Sequence, residues 1–145
     1  MEHLSAGATD SGDDEIVFDL GYFRLYKDGR VHRAKSADAT APAGFDAATG
    51  VTSRDVVIDG ATGGVVEARL YMPAAIQLSN ANAATKAKLP ILVFFHGGAF
   101  VFGSPRHPKS HRYANRLVAA ARVVAVSVRY RLAPEHPLPA AYDDA

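Results

Sequence analysis

The sequence predicts an α/β protein in which antiparallel strands lead into a parallel β-α-β unit. The apolar run 91–95, and the run 123–128 that only Ser127 interrupts, are typical of parallel strands that are buried on both faces. Between them, apolar and small residues recur at helical spacing over 113–121, which indicates an amphipathic helix. Upstream, the side chains of 65–72 alternate in character, which indicates an antiparallel strand that pairs with the apolar segment 51–59.

Length, composition and charge limit the classes of function. The 145 residues are enough for one domain of ordinary size, and 48% hydrophobic with 21% charged residues is usual for a soluble globular protein. Because the formal net charge is only +1, no overall field attracts nucleic acid or a membrane surface. Cysteine is absent, which excludes disulfides, thiolate zinc sites and a cysteine nucleophile.

The N-terminal residues carry no recognisable targeting signal. They are rich in Ala, Gly, Ser and Asp, and they have neither the apolar core of a secretory signal nor the arginines of a transit peptide. The longest apolar run, 91–95, is far shorter than the roughly 20 residues that cross a bilayer. We therefore expect a disordered acidic tail over 1–19, no membrane span, and a cytoplasmic location with the nucleus as a further site.

Turn-forming and capping residues separate these elements. The pair Asp28-Gly29 lies between two short strand-like segments and predicts a β-hairpin with a type I′ turn. A short helix and a surface loop both fit the composition of residues 74–88, and we predict the loop. Ser110 is the expected N-cap of the long helix, and Pro139 is well placed to begin a second, short helix.

The clearest chemical signal follows the first apolar run. The segment His96-Gly97-Gly98-Ala99-Phe100 comes at the carboxyl end of strand 91–95, where ligands bind in open α/β sheets. Adjacent glycines allow backbone conformations that are closed to other residues, and they let a ligand approach the N–H groups. Converging N–H donors stabilise the oxyanion that forms when an ester carbonyl is attacked. Taken alone, a Gly-Gly pair after a strand is more often simply a turn.

Two longer segments resemble one family of enzymes. The segment 96–100 with Gly103-Ser104 is similar to the HGG-type motif of lipases and esterases. Residues 130–144 resemble the signature that follows the next strand in the hormone-sensitive-lipase group, where plant carboxylesterases and the related gibberellin receptors are the most similar. The plant carboxylesterases also resemble the chain at 22–31, 50–58 and 68–71. The resemblance is collinear over 20–145.

The resemblance implies that 20–145 form the N-terminal part of an α/β-hydrolase domain, truncated before the nucleophile elbow. In this family the nucleophile lies in Gly-x-Ser-x-Gly, and no serine of the chain has glycine at both −2 and +2. The family's triad serine, acid and histidine all follow the signature at 130–144. We therefore expect no catalytic triad within these residues and no ester turnover by them alone.

The resemblance also assigns roles within the loop. The amides of Gly98 and Ala99 match the family's oxyanion hole, and Gly97 is expected to shape the turn. His96 matches a histidine that holds the loop in place and is not the catalytic base.

Aromatic and histidine residues near the loop have a less specific interpretation. Phe100, Phe102 and Tyr113 are candidates to border a substrate pocket, although aromatic core packing is the simpler alternative for each. His107 and His111 are expected to be exposed.

The family implies a carboxylic-ester hydrolase that acts on a small-molecule carboxylic ester through a serine acyl-enzyme, without cofactor or metal. A non-catalytic, gibberellin-receptor-like protein that binds a small molecule is the second hypothesis, and an inert truncated product is the third. Alanine rather than a hydroxyl residue at position 99 favours the esterase. In the family, strand 91–95 lies beside the nucleophile-bearing strand. Without that neighbour we expect an open apolar edge and a chain prone to aggregate.

Overall fold

The computed structural model of the chain describes residues 15–34, 39–59, 65–74 and 88–145. The chain divides after Ala34 into two units. Most of the predicted tail, residues 1–14, and most of the predicted loop, residues 75–87, lie outside the described residues.

The first unit is a three-stranded antiparallel sheet in the order β1-β2-β3. Its strands are β1 (Ile16–Asp19), β2 (Phe23–Tyr26) and β3 (Val31–Arg33). The prediction of disorder up to residue 19 is therefore wrong for Ile16–Asp19. The reason is pairing: Phe18 lies opposite Leu25, and the Glu15 carboxylate lies 2.6 Å from the Lys27 ammonium. The expected domain start at residue 20 likewise divides a sheet that belongs together.

The predicted hairpin between β2 and β3 is confirmed, but its turn is not type I′. Gly29 has a φ of 87°, whereas the φ of Asp28 is not positive. The Gly29 amide donates to the Tyr26 carbonyl at 3.0 Å, and the Tyr26 amide donates to the Arg30 carbonyl at 2.9 Å. This is the pattern of a type I turn that is followed by a left-handed glycine. The Asp28 carboxylate accepts from the Arg30 amide at 2.9 Å and supports this shape.

The second unit is built on a five-stranded mixed sheet in the order β4-β5-β6-β8-β7. Its strands are β4 (Phe45–Asp46), β5 (Val51–Asp59), β6 (Val65–Pro73), β7 (Ile91–Phe95) and β8 (Val124–Arg129). β7 and β8 are parallel, and the other neighbours are antiparallel. The predicted antiparallel pair and the predicted parallel unit are both confirmed.

Helix α1 (Pro108–Ala121) connects β7 to β8 and covers one face of the sheet. The buried side chains of Ala114 and Val118 pack there against Val51, Tyr71 and Ala125. These five residues form the core of the second unit, since each is almost entirely removed from solvent. Apolar burial on this scale contributes roughly 25 cal/mol per Å² and holds α1 on the sheet.

The N-cap of α1 is His107, and the prediction of Ser110 is wrong. The His107 ring nitrogen Nδ1 accepts from the Lys109 amide at 3.2 Å. Pro108 follows in the first turn, where its fixed φ suits a helix and its missing N–H costs no hydrogen bond, so the helix begins before Ser110. Because its ring caps the helix, His107 is partly buried and not exposed as expected.

A short helix, α2 (Ala140–Asp143), follows Pro139, as expected. None of the described helices is both long and apolar enough to cross a membrane.

Strand β7 lies at the edge of the sheet, so the prediction that both of its faces are buried is wrong. Ile91, Val93 and Phe95 are 72%, 51% and 43% exposed. Leu92 packs against the core beneath α1, and because side chains alternate along a strand, the three exposed residues share the opposite face. Among the described strands β7 pairs with β8 alone, which confirms the expected open edge.

Candidate functional site

The candidate loop begins where β7 ends. Its pairing with β8 stops at Phe95, and His96 then leads into three successive residues with positive φ. Gly98, Ala99 and Phe100 have φ values of 136°, 50° and 62°. A left-handed conformation costs a residue with a side chain on the order of 1 kcal/mol, so the surrounding structure must hold Ala99 and Phe100 in place.

Close backbone approach fixes the identity of two glycines in this loop. A Cβ atom on Gly98 would lie 1.8 Å from the Phe102 carbonyl oxygen, and one on Gly103 would lie 2.6 Å from the Gly97 oxygen. Gly97 itself has open space where a Cβ would stand, and its φ is not in the left-handed region. The family resemblance assigned the turn-shaping role to Gly97, whereas the steric requirement lies at Gly98. The Gly98 carbonyl closes the turn by accepting from the amides of Val101 at 3.0 Å and Phe102 at 3.1 Å.

Two amides of the loop remain available to a ligand. The N–H groups of Gly98 and Ala99 donate to no acceptor among the described residues. Both follow the carboxyl end of β7, the edge of an α/β sheet at which ligands bind. The loop can therefore offer two adjacent backbone donors to an anionic or partly negative oxygen.

His96 is buried at the start of the loop, with a side chain only 3% exposed. Its ring stacks on the Tyr130 ring at a centroid distance of 4.2 Å, and the Tyr130 hydroxyl donates to the His96 carbonyl at 2.7 Å. Nδ1 lies 3.0 Å from the Gly97 carbonyl, which can only accept, so the proton of the neutral ring is on Nδ1. Burial lowers the pKa of His96, which favours this neutral form at neutral pH. The contacts tie the start of the loop to the segment after β8.

The middle of the loop is held by the same segment. The Ala133 amide donates to the Phe100 carbonyl at 2.8 Å. The Phe100 ring packs against Tyr130 at 5.8 Å and against Tyr142 at 5.6 Å. These contacts supply the restraint that the left-handed conformation of Phe100 requires.

An ion pair closes the segment 130–144 on itself. The Asp144 carboxylate accepts from the Arg131 amide at 2.8 Å and lies 2.8 Å from its guanidinium. Burial alone would raise the pKa of Asp144, but the hydrogen bonds and charge of Arg131 outweigh it and lower the pKa. The segment therefore presents Tyr130, Ala133 and Tyr142 to the loop from a closed turn.

Two of the three candidate pocket residues, Phe100 and Tyr113, are not brought together. Phe100 lies in the loop, whereas Tyr113 is 55% exposed on α1, where its ring contacts Phe94 at 5.6 Å. No contact in the described part of the chain joins Tyr113 to the loop. Both residues make aromatic packing contacts, as the simpler interpretation expected.

A polar cluster beneath α1 escaped the sequence-based prediction, which placed His111 in solvent. Its Nδ1 lies 3.0 Å from the Tyr71 hydroxyl and 3.3 Å from a guanidinium nitrogen of Arg69, and its Nε2 lies 3.2 Å from the Asn115 amide. Arg69 is 1% exposed and binds Asp55 through two hydrogen bonds of 2.7 and 3.0 Å. We call these five residues the His111 cluster. The signal was present in the sequence, since residues two apart on a strand and four apart on a helix share a face.

A second ion pair connects this cluster to the segment that leaves the loop. The Arg106 guanidinium lies 3.4 Å from Asp55 and 3.2 Å from Glu67, which also binds Arg129 at 2.8 Å. The Arg106 carbonyl accepts from the Ala41 amide at 2.7 Å. The Arg106 side chain thus attaches the segment between the loop and α1 to the sheet, and the Arg106 backbone attaches it to Ala41, which precedes β4.

Known proteins resemble the chain along most of its length. Residues 92–145, which include the loop and the segment 130–144, match a family model described as alpha/beta hydrolase fold. Over 133 residues the chain is 45% identical to tuliposide A-converting enzyme b1 of Tulipa gesneriana, with 91% of this chain and 32% of that protein covered. It is 43% identical over 126 residues to probable carboxylesterase 2 of Arabidopsis thaliana, with 87% and 37% covered.

A solved structure, that of esterase LipW from Mycobacterium marinum, matches with a TM-score of 0.52 and 38% identity. The match covers 68% of this chain and 27% of that one. The chain spans about a third of the length of the curated relatives that it matches.

Proposed function

Since the chain belongs to the α/β-hydrolase fold family, with plant carboxylesterases among its relatives, we propose that it supplies the oxyanion-binding part of a carboxylic-ester hydrolase. The observation that carries the proposal is the left-handed loop at the end of β7, with the Gly98 and Ala99 amides available to a ligand. The substrate class is a small-molecule carboxylic ester.

In the proposed reaction a serine hydroxyl attacks the ester carbonyl carbon while a histidine base takes its proton. The carbonyl oxygen becomes an oxyanion, and the N–H groups of Gly98 and Ala99 donate to it. When the carbonyl re-forms, the alcohol leaves with the proton and an acyl-enzyme remains, which water then hydrolyses. Loss of one such donor costs roughly 3–4 kcal/mol of transition-state stabilisation.

His96 has a positioning role in this proposal and is not the base. Three observations support that role: the ring is buried, it stacks on Tyr130, and its Nδ1 proton is directed to the Gly97 carbonyl. A base must exchange protons with the nucleophile, whereas this ring is held within the loop that it begins.

The proposed function is tested by comparing the 145-residue chain with the product of the full coding sequence. These residues contain no Gly-x-Ser-x-Gly, so we expect the chain alone to hydrolyse no p-nitrophenyl acetate. The longer product is expected to hydrolyse it and to lose activity when an organophosphate labels its serine. Hydrolysis by the chain alone that is blocked by the organophosphate would contradict the assignment of roles. A full-length product that binds a small carboxylate without turnover would favour the receptor hypothesis instead.

A cytoplasmic location is part of the same proposal. The names of the tulip relatives place those proteins in amyloplasts or chloroplasts. The location of a fluorescent fusion of the full coding sequence distinguishes the cytoplasm from a plastid.

A further inference from the structure

The His111 cluster contains buried charged groups that the proposed ester chemistry does not use. The Arg69 guanidinium binds Asp55 twice and also donates to the Ala41 carbonyl at 2.9 Å. Its remaining neighbours are the Tyr71 hydroxyl and the ring of His111, which projects from the first half of α1. His111 therefore joins the helix to the strand β6, on which Arg69 and Tyr71 lie.

The neighbours of His111 determine which ring nitrogen carries the proton. Both Arg69 at 3.3 Å and Tyr71 at 3.0 Å face Nδ1. A guanidinium can only donate, so Nδ1 must present its lone pair. Burial raises the pKa of Tyr71 to about 12, so its hydroxyl keeps its proton and donates to Nδ1. The single proton of the neutral ring is therefore on Nε2.

Asn115 supports this tautomer once its amide is oriented correctly. The amide nitrogen of Asn115 lies 3.2 Å from Nε2, so two donors would face each other. At the same time the Asn115 Oδ1 atom is buried without a described partner. The oxygen and nitrogen of an amide exchange places when the group is turned over. Turning it places Oδ1 against the Nε2–H group and removes the conflict between the donors.

We propose that His111 holds α1 against β6 only while its ring is neutral, so that acidification releases the first half of the helix. Protonation would replace the acceptor at Nδ1 by an N–H group, which faces the Tyr71 hydroxyl and the Arg69 guanidinium. Tyr71 could then no longer donate to Nδ1 and would have to accept from it instead, and two positive charges would lie about 3 Å apart.

The charges that face His111 from the neighbouring elements agree with this effect. Burial and Arg69 lower the pKa of His111, while Asp46 of β4 and Asp55 of β5 act in the opposite direction. Asp55 is already paired with Arg69 and Arg106, and the first turn of α1 contributes no acidic residue. The net shift is therefore toward the neutral ring.

The sign of the pH effect follows from linkage. Below the ordinary histidine pKa of 6.5 the released ring binds a proton more readily than the ring in the cluster. The contribution of His111 to stability is thus present above that pH and is lost as pH falls through the lower folded pKa. Because α1 directly follows the segment 103–107, its release loosens the chain that leaves the loop.

The test combines nitrogen NMR of the His111 ring with amide hydrogen exchange along α1, both in the intact chain as a function of pH. We expect a proton on Nε2 at neutral pH. Below pH 6.5 the equilibrium constant for opening of α1 is expected to rise by up to about tenfold for each pH unit. This rise should be absent in His111→Asn, which keeps an acceptor near the position of Nδ1 and does not titrate. It should persist in the control His32→Gln, at an exposed position on β3.

A proton on Nδ1, or an opening of the first half of α1 that depends on pH as strongly in His111→Asn as in the wild type, would overturn the proposal. If the variant does not fold, the wild-type chain still decides the question. Opening of α1 must then follow the titration of the His111 ring itself, and opening at a pH where that ring does not titrate would equally overturn it. None of these results depends on ester hydrolysis.

Discussion

Gly97 and Gly98 are neighbours in the sequence, yet the structure places them in different surroundings. Gly98 has a φ of 136° and no room for a Cβ atom, because the carbonyl of Phe102 returns against it. Gly97 has open space on the same side. The sequence could identify the pair as an unusual turn, but it could not say which glycine is required. That depends on a contact four residues further along the chain.

Alanine substitutions at these two positions form a matched test of the loop. In the full-length hydrolase that we propose, Gly98→Ala must displace the loop and its donors, so we expect kcat/KM to fall about 10²–10³-fold. Gly97→Ala should stay within a few-fold of the wild type, since nothing obstructs its side chain. Aryl-ester hydrolysis measures the activity, and thermal melting of each variant shows whether it is folded. Equal losses at the two positions would contradict this account.

At the scale of secondary structure, the local sequence pattern predicted which segments form strands, but it did not predict which face of each strand is buried. The strands β5, β6, β7 and β8 follow from apolar runs and alternation, which are properties of each segment alone. In β6, however, the face that carries Arg69 and Tyr71 is the one beneath α1. A charged residue indicates a solvent face only when no partner is available, and the partner Asp55 lies on another strand. His111 was placed in solvent for the same reason.

Termini and turns show a similar limit. The hairpin at Asp28-Gly29 was predicted correctly, but its turn type depends on the φ of one residue, which the dipeptide does not specify. The N-cap of α1 is His107 and not the expected Ser110, because a histidine ring accepts the capping hydrogen bond. The first outcome rests on one backbone angle, and the second rests on the position of one side chain.

The exposed face of β7 leads to a prediction about association. Unpaired backbone groups beside exposed apolar side chains favour pairing with another chain, so we expect the 145-residue chain to associate increasingly with concentration. Val93→Lys places a charge on this edge and should reduce association, while it changes the free energy of unfolding by less than about 0.5 kcal/mol. Sedimentation velocity over a range of concentrations measures the effect.

A matched control for the edge is Val65→Lys. Val65 is as exposed as the β7 residues, but it lies on β6, an interior strand. The Val65→Lys substitution should therefore leave association unchanged. A wild-type chain that stays monomeric at every concentration and melts cooperatively would show that the edge is harmless.

For the molecule as a whole, two sets of titrating groups act in separate pH ranges. Hydrogen bonds from Arg69 lower the pKa of Asp55 despite its partial burial, and Arg131 lowers that of Asp144 against the effect of burial. Carboxyl groups of this kind contribute stability above the ordinary aspartate pKa of 3.8, and the contribution is lost as pH falls through the folded pKa. The rings of His96 and His111 likewise lose their contribution to stability as the pH falls below 6.5.

We therefore expect acid to destabilise the chain in two steps. The urea midpoint should fall first as pH drops below 6.5, where histidines of the unfolded chain take up protons, and again below 3.8. Urea titrations followed by circular dichroism across this range separate the steps. A midpoint that stays constant from neutral pH down to about pH 4 would contradict the histidine contribution.

The restraints on the left-handed loop also have a direction along the chain. Every described contact that holds Gly98, Ala99 and Phe100 comes from the loop itself or from the segment that ends at Asp144, and the strands of the supporting sheet precede that residue. A ribosome that has released Asp144 has thus already released each of these restraints. In the hydrolase that we propose, whose nucleophile is expected to follow these residues, the loop can take this form on the nascent chain before that nucleophile is translated.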